Sequence, residues 1–188
     1  VVIQTIIKVG GSVLDLPDLN GRLQNWLQQF ELTPAWVICG GGEYADSIRA
    51  RQPWAEWCDA EAHDLAVLAM DANTYETAEL VGLNVVELKY PQMPSPENDY
   101  TAIAVSTFLN TNEPRCEGSV LPHNWSATSD SIAARIATVF DIPNVVLLKS
   151  DAPPTDDLES LQECNYIDSA FISMLSHNTS VEFVNLRA

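Results

Sequence analysis

Two of the three lysines in this 188-residue chain, Lys8 and Lys149, close apolar runs that read as buried strands, and the third is Lys89. In Ile6-Ile7-Lys8-Val9-Gly10-Gly11-Ser12 an ammonium precedes two residues that permit close backbone approach. Gly10 and Gly11 could aim N–H groups at phosphate oxygens while Lys8 supplies a compact positive charge. The plainer alternative is an ordinary strand-to-helix turn. A second run, Trp36-Val37-Ile38-Cys39, enters Gly40-Gly41-Gly42. Consecutive glycines are costly to order, so this run marks crowding by backbone or by a ligand. Neither turn has the P-loop spacing GxxxxGK[ST] or the dinucleotide spacing GxGxxG.

Thr128-Ser129-Asp130-Ser131 stands ahead of an apolar helical stripe, Ile132, Ile136, Val139 and Phe140, which places Asp130 in a first helical turn. There it is either part of an N-cap with Thr128 or Ser129, or a carboxylate placed for chemistry. Lys149 ends Val145-Val146-Leu147-Leu148, and an unpaired ammonium at a buried strand end is expensive. Asp130 is the natural partner for Lys8, Lys149 or both, although a structural salt bridge would account for the same residues.

These groups need parallel strands that end along one sheet edge, where open α/β sheets bind ligands. Short apolar runs alternating with helical patterns supply them. The expected strands are Ile3–Val9, Ala35–Cys39, Asn84–Leu88, Ser119–Leu121, Val145–Leu148 and Val181–Leu186. Leu19, Leu23, Trp26, Leu27 and Phe30 recur at helical spacing behind Pro17-Asp18. A longer pattern, roughly 60–83, carries Leu65, Leu68, Ala69, Ala72, Tyr75 and Leu80 as an expected core stripe and stops near Gly82. His63 near its start could touch a substrate, with a capping or surface role as the plainer reading. Pro91, Pro94 and Pro96 make 90–99 a loop, after which Asp99 could cap a helix. The stretch 150–164, with Pro153-Pro154, is also loop-like around a short helical turn at Leu158 and Leu161.

The length fits one domain, 1–188, and 46% apolar residues suffice for a core. Nine Lys and Arg against 26 Asp and Glu give a net charge of -17, which disfavours nucleic acid and anionic membranes as partners and would gather Mg²⁺. Cys39, Cys58, Cys116 and Cys164 form no CxxC pair and read as reduced thiols, and no signal peptide or spanning stretch is evident, so a cytoplasmic address is expected. Apolar residues such as Trp54 and Trp57 suit a homodimer.

In order and spacing, Lys8-Val9-Gly10-Gly11-Ser12, Gly40-Gly41-Gly42, Thr128–Ala134 and Leu147-Leu148-Lys149 resemble the motifs of the amino-acid-kinase superfamily. Met70–Tyr75, Tyr166–Phe171 and Val184-Asn185-Leu186 further resemble the small methanofuran-pathway kinases that phosphorylate aminomethylfuranmethanol phosphate. The resemblance implies a three-layer α/β sandwich, a mainly parallel sheet with helices on both faces. It implies ATP and Mg²⁺ as cofactors and a small-molecule substrate bearing a phosphate or carboxylate. Lys8, Asp130 and Lys149 would be catalytic. Gly10, Gly11, Ser12, Ser129 and Asp151 would bind the nucleotide phosphates, and Gly40, Gly41, Gly42 and His63 the acceptor. No residue is expected to ligate a metal directly. The family follows its second lysine with an Asp-Gly turn, whereas this chain reads Lys149-Ser150-Asp151-Ala152-Pro153-Pro154, implying an abbreviated or remodelled adenine pocket. A non-catalytic homologue that binds a nucleotide or anion is the alternative, and a purely structural α/β protein a third.

Overall fold

The computed structural model describes residues 2–94 and 98–188. Six strands form one all-parallel sheet in the order β3-β4-β2-β1-β5-β6. They are β1 (Thr5–Val9), β2 (Ala35–Cys39), β3 (Val85–Glu87), β4 (Tyr100–Ala104), β5 (Asn144–Lys149) and β6 (Ser180–Asn185). The helices are α1 (Leu19–Gln29), α2 (Gly42–Ala55), α3 (Asp59–Val81), α4 (Ser106–Thr111), α5 (Ser129–Val139), α6 (Leu158–Glu163) and α7 (Phe171–Met174), with a 3₁₀ turn at Gly11–Val13.

Residue parity along the strands sorts the core into two layers, because successive side chains of a strand point to opposite faces. Ile7, Val9, Val37, Val146 and Leu148 pack on Leu19, Leu23 and Leu27 of α1. Ile6, Ile38, Val145 and Leu147 pack on the other face with Val67 and Met70 of α3 and with Ile132 and Ile136 of α5. This is the expected three-layer sandwich. Lys8 and Lys149 share parity with Ile6 and Leu147, so both ammonium groups project into the α3/α5 layer, one on each of two adjacent paired strands.

Several sequence expectations need correction. Ser119–Leu121 is not a strand, and Tyr100–Ala104, unrecognised in the sequence, takes its place. Asp99 therefore precedes β4 and caps no helix, and its carbonyl accepts from Ala35 N at 2.8 Å. The loop expected over 90–99 is irregular at 90–94 and 98–99, while Pro96, like Val1 of the opening run, lies outside the described residues. The expected core stripe of α3 is largely outward: Ala69 is buried, but Leu68, Ala72, Tyr75 and Leu80 are exposed.

The face of α3 that turns to the sheet is smaller and more polar, with Ala62, Val67, Met70, Thr74 and Ala78 buried. Its polar members secure strand ends. Cys39 N donates to Thr74 Oγ1 at 3.1 Å, Asn73 Nδ2 donates to Gly40 O at 2.7 Å, and Val105 N and Ser106 N donate to Asp71 at 2.6 and 3.1 Å. Satisfying those otherwise unpaired backbone groups explains why polar residues occupy the buried side.

Candidate active site

β1 lies between β2 and β5, and the chain leaves it by α1 on one face and returns from β2 by α2 and α3 on the other. Such reversals open a crevice beyond the carboxyl ends of the strands. The 3₁₀ turn after β1 and the N-termini of α2 and α5 all border one cavity of about 920 Å³, lined by Gly11, Ser12, Gly41, Gly42, Thr128 and Ser129 among others. Three N-terminal helical ends together form a natural anion site, because first-turn N–H groups have no partner within the helix.

The glycines matter first to the packing of the two turns against each other. A Cβ on Gly11 would fall 2.6 Å from Gly42 N, and one on Gly40 would fall 2.6 Å from Gly11 N. Gly42 has a φ of 50°, in the left-handed region that glycine occupies without penalty. Gly10 and Gly40 are not free donors as expected, since Gly10 N is held by Leu148 O and Gly40 N by Val9 O, both at 2.8 Å. The N–H groups of Gly11, Ser12, Gly41, Gly42 and Ser129 have no hydrogen-bond partner among the described residues, and these are the donors the cavity offers.

Beside this cradle the three charged residues singled out in the sequence converge. Lys8 Nζ lies 2.8 Å from Asp130 Oδ1 and Lys149 Nζ lies 2.7 Å from Oδ2, so one carboxylate bridges two ammonium groups. The Lys149 contact is a well-formed hydrogen bond. The Lys8 contact is an ion pair with poorer angles, which leaves Oδ1 without a hydrogen-bond partner. The side chains are 6%, 6% and 13% exposed for Lys8, Asp130 and Lys149, so water screens them little. Burial works to raise the pKa of Asp130, but Lys8 and Lys149 outweigh it and hold the carboxyl below its ordinary value. Burial lowers the pKa of Lys149, opposed by Asp130. None of the three lines the cavity itself; Asp130 directly follows its lining residue Ser129, and Lys8 Nζ lies beside Gly10, the residue before its lining residue Gly11.

Two residues without a role in the sequence reading hold this arrangement. Asp168 accepts from Thr128 N at 3.0 Å, Thr128 Oγ1 at 2.8 Å and Ser131 N at 3.0 Å, and also from Ser131 Oγ. It caps α5 from outside, where Thr128, the helix's own N-cap, makes no side-chain capping bond. Tyr166 O accepts from Lys149 Nζ, its ring lies 4.8 Å from that ammonium, and its hydroxyl donates to Asp151 O at 2.7 Å. Burial pushes the Tyr166 phenol up to about 12, which keeps it a donor. Both come from the loop before α7, and the only available signal was the run Tyr166–Phe171 itself.

The remaining expected site residues are spread more widely. Ser12 Oγ donates to Ser150 Oγ at 3.1 Å, joining the loops after β1 and β5, while Asp151 is exposed on the latter and does not line the cavity. His63 is neither a cap nor a surface residue: it is 5% exposed and lines the cavity's wall. Trp125, under the Arg49 guanidinium at 4.3 Å, stands on the same wall.

The chain is similar to the [5-(aminomethyl)furan-3-yl]methyl phosphate kinase of Methanocaldococcus jannaschii, with 26% identity over 145 residues, 76% of this chain and 63% of that protein. It thus spans somewhat less than two thirds of that relative's length. No family model matches the sequence. Among solved structures, the UMP kinase of Ureaplasma parvum superposes with a TM-score of 0.62 at 14% identity, covering 98% of this chain and 90% of that one. The UMP kinase of Bacillus anthracis gives 0.63 at 12% identity, covering 98% and 88%. The chain shares the fold of these UMP kinases, a parallel sheet between two helical layers.

Proposed function

We propose that residues 1–188 act as a single-domain small-molecule kinase that transfers the γ-phosphoryl group of ATP to a metabolite bearing a phosphate or carboxylate, with aminomethylfuranmethanol phosphate the first acceptor to test. The observation that carries this reading is the bridging of Lys8 and Lys149 by Asp130 beside a cavity edged with unpartnered N–H groups. Phosphoryl transfer asks a protein mainly for positioning and for positive charge where negative charge develops. Lys8 neutralises charge on the transferring group, Lys149 acts on the leaving side, and Asp130 orients both. Gly11, Ser12, Gly41, Gly42 and Ser129 donate N–H groups to phosphate oxygens, and an acceptor that is already ionised needs no general base.

The cradle suits a polyphosphate, because its donors are unpaired backbone N–H groups at three helical N-termini. No group of three ligating side chains that could hold a metal ion gathers among the described residues, so Mg²⁺ would be held through the phosphates of the nucleotide. Bound there, it would supply charge neutralisation across the phosphate oxygens. A cytoplasmic homodimer is the assembly expected with this activity; no helix among the described residues is long and apolar enough to cross a membrane.

One observation favours a second reading, a homologue that binds a nucleotide or anion without turnover: Lys149 already spends hydrogen bonds on Asp130 and on Tyr166 O. ADP formation measured with aminomethylfuranmethanol phosphate, UMP, acetylglutamate and carbamate separates the two. Acceptor-dependent ADP release by the wild type, lost in Lys8→Ala, is the result expected of a kinase. Nucleotide binding without release across the panel would favour the binding homologue.

A further inference from the structure

The segment that follows β6 returns to the turn after β1, a contact that neither the glycine motifs nor the lysine–carboxylate bridge accounts for. Leu186 N donates to Lys149 O at 2.9 Å, extending the β5–β6 ladder by one residue. Arg22 Nη1 on α1 donates to Leu186 O and to Ala188 O, both at 3.1 Å, so the backbone is pinned on either side of Arg187. From there the Arg187 side chain reaches past the end of β5, where Nη2 donates to Ser12 O at 2.7 Å and to Asp15 Oδ1 at 2.8 Å. Those two bonds use both hydrogens of Nη2. The remaining three donors of the guanidinium, one on Nε and two on Nη1, have no hydrogen-bond partner among the described residues.

Resting on the kinase reading above, we propose that Arg187 is a phosphate-binding residue, a third cation that meets the polyphosphate at the Gly11–Val13 turn. The cavity is lined by four carboxylates, Asp15, Glu43, Asp46 and Glu76, against two guanidinium groups, those of Arg49 and Arg187. Arg49 follows Gly42 by seven residues, roughly 10 Å along α2 at 1.5 Å per residue, and lies over Trp125. Arg187, bonded to Ser12 O, is therefore the lining cation that stands at the unpartnered N–H groups of Gly11 and Ser12. A polyphosphate held there by backbone dipoles alone would face the lining carboxylates with too little compensation. The Arg187–Asp15 pair is open to water, 41% and 56% exposed, and a pair so placed adds little to stability. Exchanging the Asp15 carboxylate for a phosphate oxygen thus costs the fold little and gains a charge-assisted hydrogen bond. Asp15 is the competitor of the phosphate for this guanidinium.

Isothermal titration with Mg·tripolyphosphate and with Mg·ADP at pH 7.5 reads this contact without turnover. Arg187→Gln, which keeps a donor for Ser12 O but no charge, should weaken both ligands about tenfold, and Arg187→Lys, which keeps the charge without the fork, should lose less. Asp15→Asn separates contact from support. If Arg187 meets phosphate, removing its competitor should tighten tripolyphosphate about threefold, the range of an exposed ion pair, and the gain should vanish in the Arg187→Gln background. If Arg187 only braces the turn, Asp15→Asn removes a brace and weakens binding. Unchanged affinity in Arg187→Gln, weakening in Asp15→Asn, or a gain from Asp15→Asn that survives Arg187→Gln would overturn the proposal. Matching urea midpoints certify that the variants are folded; should Arg187→Gln fail that check, Arg187→Lys and Asp15→Asn decide. Mg·ADP binding that is equal in wild type and Arg187→Gln would refute the role of Arg187 and leave the kinase reading standing. Arg187-dependent binding of tripolyphosphate without any binding of Mg·ADP would refute the kinase reading and leave the role of Arg187 standing.

Discussion

Removing the Asp130 carboxylate should destabilise the fold and do so in a pH-dependent way. Its two oxygens lie 2.8 and 2.7 Å from Lys8 Nζ and Lys149 Nζ, which places the ammonium groups no more than roughly 8 Å apart. At an effective dielectric of about 20, like charges at that separation repel by about 2 kcal/mol, and each also loses its attraction to the carboxylate. With the lysine side chains only 6% and 13% exposed, water compensates little, so Asp130→Ala should cost about 3–5 kcal/mol at pH 7.5.

Asp130→Asn preserves shape and removes charge, and it should show most of the same loss. The native pKa of Asp130 is depressed below its ordinary 3.8, so the carboxylate's contribution is complete above that value. It vanishes as pH falls through the folded value, where a protonated Asp resembles Asn. Urea unfolding of wild type and Asp130→Asn from pH 7.5 to pH 2.5 should therefore show a gap that is constant above about pH 5 and closes below pH 3.8. A gap under about 1 kcal/mol at pH 7.5, or one that widens in acid, would refute this electrostatic account.

Lys8→Ala should lower the phosphoryl-transfer rate by ~10²–10³, the usual loss for one charge-stabilising donor, with saturating acceptor and ATP in a coupled ADP assay. Gly11→Ala forces a Cβ to within 2.6 Å of Gly42 N, and denaturation should show a loss of about 1–3 kcal/mol, whereas Gly21→Ala, with open space around it inside α1, should gain up to about 1 kcal/mol. Asp168→Ala removes the outside cap of α5 and should cost about 2 kcal/mol in urea unfolding while lowering kcat more than it raises KM, because the helix end that carries Asp130 loses its anchor.

What could be read from the sequence was the chemistry carried by strand ends. Lys8, Lys149 and Asp130 stood out because charged groups interrupt otherwise buried patterns, and strand parity then places both lysines on the α5 face. β4 escaped notice because Tyr100–Ala104 follows the proline-containing stretch 90–94 and is short. Its burial comes from its neighbours β2 and β3, which no local pattern reveals. The outward stripe of α3 misled for a related reason: apolar periodicity reports a face and not its direction. The inward face was hidden by Asp71, Asn73 and Thr74, polar residues recruited to tie strand ends. Asp168 and Tyr166 reach the site from a loop more than fifteen residues beyond Lys149, and only folding brings them there. The glycine turns were legible as crowded, but not that the crowding is chiefly of one turn by the other, nor that Gly10 and Gly40 spend their N–H groups on the sheet.

Isothermal titration of the wild type with Mg·ADP, repeated with Lys8→Ala, bears most directly on whether this lysine–carboxylate–lysine bridge serves a nucleotide. Saturable binding below the millimolar range, weakened at least about tenfold in Lys8→Ala, is the predicted result. Heats indistinguishable from dilution at millimolar nucleotide, or equal affinity in the variant, would contradict it.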